Sequence, residues 1–281
     1  MTSKVGRRAL AGGAVLLPAA AMIGAARAQA PSESTLDRIR RTKTLRIAAL
    51  PGELPYFQKN IATGAWGGAA IEMAGNIAKL LGAKLEYVEA TYGTSVLDLQ
   101  TDKVDLAFAL NPTPERALAI RFTHPMLIHP FGCLARQGLE PKTWADINKP
   151  DIRVTFDIGS LHETVANRFA PRAQHIGFPS RDQALLALQA GRADVDILAA
   201  LLGLSAVAKN PALGHWYLLT QPTVALPTAL AVQYEPDTKF ADVLNAWLDF
   251  NRGIGQLREW LINGLELEGV KREQIPVELT F

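Results

Sequence analysis

Apolar residues recur along the chain in two spacings, short runs of the strand type and longer stretches of helical period, and they alternate. A short polar helix is expected around Thr35–Arg41, then a strand at Leu45–Leu50. Ala69–Leu81 carries Ile71, Ala74, Ile77, Ala78 and Leu81 at helical spacing, and Gly82 closes it as a C-terminal glycine. Leu85–Val88 predicts a second strand, Ser95–Thr101 a helix, Val104–Leu110 a third strand and Leu127–Arg136 a long apolar strand. The pattern then begins again. Ile152–Phe156 reads as a strand, Ser160–Phe169 and Arg181–Ala190 as helices, Val195–Leu198 as a buried strand and Leu201–Lys209 as a helix. Trp216–Leu219 and Ala229–Gln233 are strands, and Phe240–Phe250 and Leu257–Ile262 amphipathic helices. Alternation at this pace predicts an α/β protein with mostly parallel sheets covered by helices. Two such units follow one another without a Pro/Gly/Ser-rich linker, so two lobes on a hinge are expected. Ligands in such sheets sit at the carboxyl ends of strands.

The first thirty residues stand apart. Lys4, Arg7 and Arg8 precede a mostly apolar stretch, and Ala28-Gln29-Ala30 supplies a small-x-small cleavage signal, so residues 1–30 read as a cleavable secretory leader. The Arg7-Arg8 pair is compatible with twin-arginine export. Gly12, Gly13, Pro18 and Gly24 interrupt the stretch and argue against a spanning helix. Removing Lys4, Arg7, Arg8 and Arg27 with the leader takes 29 basic residues to 25 against 27 acidic ones, and the formal charge from +2 to −2. The basic balance therefore belongs to the leader, and no nucleic-acid partner is expected.

Asn111-Pro112-Thr113-Pro114-Glu115-Arg116 joins the third strand to a short helix with Thr113 as N-cap and Pro114 at the first position. Arg116 then sits near the positive end of the helix dipole, beside unpaired N–H groups. That combination suits an anion, although pairing with a surface carboxylate would equally account for it. Cys133 is the lone cysteine and lies in an apolar run, which reads as a small buried hydrophobe. The five histidines show no paired metal-ligand spacing, and no cofactor or metal site is expected. Trp66, Trp144, Trp216, Trp247 and Trp260 are scattered, and Trp66 alone falls near the expected cleft.

From Leu45 to Ile262 these residues resemble the polar amino-acid family of periplasmic solute-binding proteins, the receptors of ABC importers. The resemblance rests on Leu45-Arg46-Ile47, Gly68 through Gly82, Lys103-Val104-Asp105-Leu106, and Asn111 to Arg116 followed by Phe122-Thr123-His124-Pro125. Gly159-Ser160-Leu161-His162-Glu163 and Gly191-Arg192-Ala193-Asp194 complete it. It implies a two-lobed type II periplasmic binding fold, each lobe a mixed, mostly parallel sheet flanked by helices, with two hinge strands. The implied layout is lobe 1 over 31–131, lobe 2 over 132–225 and a return to lobe 1 over 226–281.

The resemblance also assigns a site. Arg116 stands where the family grips the ligand carboxylate, and a planar guanidinium can take both carboxylate oxygens. Asn111 replaces the family hydroxyl five positions earlier. The backbone of Gly159, Ser160 and Leu161 would meet the same carboxylate from the second lobe. Departures are informative: the family's amine-binding aspartate is Ala199 here, its Gly-Phe-Asp segment gives Ala69 and Ala70, and its aromatic lid position aligns with Glu53 or Leu54. An α-ammonium group buried without a partner would cost several kcal/mol, so Glu53 stands as a hypothetical substitute from the other lobe.

The implied function is a periplasmic, monomeric substrate-binding component that closes on a small anionic or amino-acid-like solute and delivers it to an inner-membrane ABC permease, with no catalytic residue. Two alternatives stand beside it. One is an enzyme of the cyclohexadienyl dehydratase type, which eliminates water from a carboxylated ring and needs a cleft acid of raised pKa, with Glu53 as candidate. The other is an accessory or sensor protein that kept the fold and lost amino-acid binding.

Overall fold

The computed structural model describes residues 33–280, and the expected leader at residues 1–30 lies outside them. The chain opens with α1 (Thr35–Thr42), β1 (Thr44–Ala49), β2 (Gln58–Lys59), β3 (Trp66–Gly67) and α2 (Ala69–Leu81). It continues through β4 (Lys84–Glu89), α3 (Tyr92–Gln100), β5 (Leu106–Leu110), α4 (Pro114–Ala117) and the long β6 (Ile120–Ala135). The next group is α5 (Trp144–Ile147), β7 (Arg153–Asp157), α6 (Leu161–Phe169), β8 (Gln174–Phe178), α7 (Arg181–Gln189) and β9 (Val195–Ala199). Then come α8 (Ala200–Lys209), β10 (His215–Leu218), β11 (Ala225–Gln233), α9 (Lys239–Gly253) and α10 (Gln256–Leu267).

Two sheets share one strand. In the first, the order is β4-β1-β5-β11-β6, with β4, β1 and β5 parallel and β11 antiparallel to both β5 and β6. In the second, β8, β7 and β9 are parallel, and the far half of β6 joins them antiparallel to β9. β10 pairs with that same half of β6 from its other side. The changeover is abrupt: Pro130 still faces Ala225 of β11, whereas Phe131 already faces Ala199 of β9. The sequence places this strand's start at Leu127, but it begins at Ile120. Pro125 is accommodated because the β11 register shifts opposite it, between Thr228 and Ala229, where a ladder N–H is not required.

Each sheet is pinned by the same device. Asp105, just before β5, is buried against Arg38 and Arg46 and accepts the Arg46 N–H at 2.7 Å. Asp194, just before β9, holds Arg136 and Arg153 and accepts the Arg153 N–H at 2.9 Å. The two Lys/Arg-x-Asp turns therefore tie the first strand of each sheet to the strand that ends at the cleft. Helix ends follow their caps. Ser34, Thr113, Ser160 and Ser180 each accept a backbone N–H of the helix they open. α3 begins three residues earlier than its apolar spacing predicts, because a Thr91/Thr94 capping box starts it. β8 was not expected from the sequence: it is a half-exposed edge strand with only one neighbour. Gly203 marks close packing on the far side, since an added Cβ would lie 1.9 Å from the Trp216 ring. No helix among the described residues is long and apolar enough to cross a membrane.

Candidate functional site

Four strand ends meet where the sheets face each other. β5 and β1 bring Asn111–Arg116 and the Glu53 turn; β7 and β9 bring Asp157–Leu161 and Ala199. Thr113 caps α4 and thereby turns the Arg116 side chain back toward the strand end. There Arg116 donates from Nη1 to the Asn111 carbonyl at 3.2 Å and from Nη2 across to the Gly159 carbonyl at 2.8 Å. Among the described residues it forms no ion pair with a carboxylate, and burial lowers its pKa from the ordinary value. An opening of about 560 Å³ lies between the Thr113–Arg116 turn and the Gly159–Thr164 segment.

The other expected contacts are engaged as follows. Asn111 spends its amide on the hinge strand, donating to the Pro227 carbonyl at 2.8 Å and to Thr228 Oγ1 at 3.0 Å. Thr228 Oγ1 in turn lies 2.9 Å from His129 Nε2. The Gly159 N–H goes to Glu163 Oε2 at 2.7 Å, and Ser160 is the N-cap of α6. Leu161 packs into the second sheet's core together with Phe131, Ile197 and Ala199. Ala69 and Ala70 are buried at the start of α2.

The cleft centre holds a charge cluster that motif comparison passed over. Arg181, the first residue of α7, is 2% exposed. It pairs with Asp157 at the end of β7 and with Asp196 Oδ2 of β9 at 3.1 Å, and its Nη2 donates to His162 Nδ1 at 2.8 Å. An arginine always donates, so His162 Nδ1 accepts and its proton resides on Nε2, a buried atom with no partner. Burial, followed by the nearby Arg181 charge, lowers the His162 pKa and keeps the ring neutral. Against its burial, the Arg181 charge holds Asp157 well below the usual carboxylate range. Burial pushes Asp196 up to about 7 and Glu53 up to about 8. Glu53 reaches into this group from the other sheet, its Oε1 3.9 Å from Arg181 Nε, while its Oε2 has no partner. A buried cation at a helix N-terminus opposes the dipole, and its direct contacts with Asp157 and Asp196 offset that. The signal available in sequence was the presence of Asp157, Arg181 and Asp196 around two strand ends, which spacing alone does not bring together.

His129, on the hinge strand, is buried and pushed down to about 3 by burial. Its folded value lies below the unfolded one, so neutral His129 stabilises the fold fully above pH 6.5, and the stability is lost as pH falls toward 3. The acid limb is expected to steepen by up to about 1.4 kcal/mol per pH unit below 6.5. Urea unfolding of His129→Asn between pH 4 and 7 should show a shallower decline than the unaltered protein.

Two lobes, the long strand β6 that passes from one sheet to the other, and a cleft at the strand ends define a type II periplasmic binding fold. Residues 45–266 match the family of bacterial extracellular solute-binding proteins, family 3, and the chain belongs to it. It is 25% identical to cyclohexadienyl dehydratase of Pseudomonas aeruginosa over 258 residues, 88% of this chain and 91% of that one. An ancestral amino acid-binding protein described as a precursor of cyclohexadienyl dehydratase superposes with a TM-score of 0.74 at 26% identity, covering 83% of this chain and all of that one. The L-arginine complex of an amino acid ABC transporter substrate-binding protein from Streptococcus pneumoniae has a TM-score of 0.76 at 19% identity, over 84% and 100% of the two chains.

Proposed function

We propose that the protein is an exported solute-binding component of an ABC importer that closes its lobes on a small carboxylate-bearing solute. The observation that carries this reading is Arg116: a half-buried guanidinium at the cleft, bonded among the described residues only to carbonyls of the two lobes. A carboxylate arriving there would exchange neutral acceptors for a charged one that can take two parallel N–H bonds from the planar guanidinium. Lobe boundaries at 31–131, 132–225 and 226–281 accord with the change of partner at Pro130 and Phe131. The leader at 1–30, periplasmic delivery, a monomeric state and an inner-membrane permease as partner belong to the same reading. Closure would follow from contacts that one lobe makes first and the other adds. A thermal-shift screen of amino acids, keto acids, dicarboxylates and aromatic acids tests it, because a ligand stabilises the bound state by mass action, about 2.7 kcal/mol at a hundred times Kd. Failure of every carboxylate to shift the transition would overturn the reading.

A second reading, a dehydratase-type enzyme, is favoured by Glu53. A carboxyl raised to about 8 by burial keeps its proton at neutral pH and can serve as a general acid. Similarity to the Pseudomonas dehydratase supports it. Prephenate or arogenate turnover, measured with the unaltered protein and with Glu53→Gln, decides between the two. No turnover removes the enzyme reading.

A further inference from the structure

Between the strand ends the two lobes touch through bare backbone. Gly93, the second residue of α3, lies against Ile158 and Gly159, just past the end of β7. A Cβ added at Gly159 would lie 2.8 Å from the Gly93 Cα, and one added at Gly93 would lie 3.1 Å from the Ile158 carbonyl oxygen. Gly159 has a φ of +76° and so a backbone reason to be glycine. Gly93 has none, because its backbone is helical, where glycine costs more chain entropy than alanine. Close approach of the lobes is the reason left. The seam also divides the cleft. Tyr92 and Thr94, on either side of Gly93, line a cavity of about 450 Å³ together with Glu53 and Arg181. Gly159 and Ser160 line the opening of about 560 Å³ at Arg116, and the two spaces have no lining residue in common. On one flank of the seam Arg116 Nη2 donates to the Gly159 carbonyl at 2.8 Å. On the other, a Cβ added at Gly52 would strike the Asp182 carboxylate, and Glu53 Oε1 stands 3.9 Å from Arg181 Nε. Tyr92 from one lobe and His162 from the other, both buried, meet with ring centroids 6.2 Å apart.

We propose that this seam holds the cleft shut in the solute-free protein, so that contacts within the chain compete with the solute for the facing lobes. A carboxylate that takes Nη2 of Arg116 displaces the Gly159 carbonyl and breaks one of the seam's contacts. A ligand moves such an equilibrium only by binding one state better than the other. Where the state that admits it is a minority, apparent affinity is reduced by that minority's fraction. The seam therefore restrains binding without touching the solute, and Gly93 is the residue that sets how closely the lobes meet. Gly159 cannot serve as the probe, since any side chain there also strains a left-handed backbone. Gly93 can, because a side chain there keeps its helical backbone and points at Ile158.

Small-angle X-ray scattering of the purified protein tests this, after unfolding in guanidinium, dialysis and refolding to remove any carried solute. The unaltered protein should show a radius of gyration of about 18 Å, as for a compact chain of its length, and a profile that fits the structure of residues 33–280. Gly93→Leu should give a larger radius and a profile that fits only with the lobes rotated apart at Pro130 and Phe131. Gly75→Leu is the control: it makes the same change in α2, where an added Cβ has nothing within 4 Å, and should scatter like the unaltered protein. Thermal melts followed by circular dichroism show that each variant is folded. An expanded profile for the unaltered protein overturns the proposal, and so does a folded Gly93→Leu that scatters like it. Should Gly93→Leu lose its cooperative melt, the profile of the unaltered protein decides alone. Scattering without solute reports the seam whatever Arg116 binds, so it holds or fails separately from the carboxylate reading above.

Discussion

Arg181→Met is expected to lower folding stability by about 3–5 kcal/mol at pH 7, the usual cost of removing one partner from a buried ion cluster. The side chain is 2% exposed and is the cation that Asp157 and Asp196 share. Methionine fills a similar volume, so the loss reads electrostatics more than packing. The pH dependence separates the two causes. Without the guanidinium, Asp157 rises from its depressed position and joins Asp196 and Glu53 as a carboxyl that folds best when protonated. A carboxyl raised in the folded state contributes its stability below the unfolded pKa and loses it as pH climbs through the folded value. The deficit of Arg181→Met should therefore shrink between pH 8 and pH 5, and Arg181→Met with Asp157→Asn should recover part of it. Urea unfolding across that range is the measurement. A deficit constant with pH would mean that the arginine matters through packing alone.

That cluster also marks where the sequence stopped being legible. Fold class followed from alternating periods, since burial of one face is what both periodicities record. Ala69–Leu81 is a helix with the bounds its spacing predicts, ending at a left-handed Gly82. Elements whose reason lies in a partner were harder to read. β8 has a polar, half-exposed sequence and exists because β7 offers a free edge. β6 continues upstream of Leu127 because β11 bends around Pro125. For the site, motif position located Arg116 and the Gly159 loop, both near strand ends. It could not foresee that Asn111 would spend its amide on Pro227 and Thr228, 116 and 117 residues away. Nor could it foresee that Arg181 would turn inward from a helix start, because ordinary first-turn preferences favour acids there. Long-range charge balance is set by tertiary structure, and the residues that carry it look like surface residues in a linear reading.

Arg116→Ala is expected to weaken binding of the tightest carboxylate found by screening by about 2–5 kcal/mol, or 30-fold to several thousandfold. Two roles contribute, and they can be told apart. Nη2 reaches the Gly159 carbonyl across the cleft, so truncation also removes a contact between the lobes. A closure effect of that kind would weaken every ligand equally. A carboxylate anchor would weaken only ligands that carry the charge. The comparison is therefore a double cycle of acid against carboxamide in the unaltered protein and in Arg116→Ala, by calorimetry. With an anchor, the unaltered protein should prefer the acid by an order of magnitude or more, about 1.4 kcal/mol, and the variant should be indifferent. Arg116→Lys should fall between, since an ammonium restores the charge but cannot form the paired bonds of a guanidinium. Equal losses for acid and carboxamide would reassign Arg116 to holding the lobes together. The free energy would then belong to the Gly159 contact, and the solute's carboxylate would need another partner in the cleft.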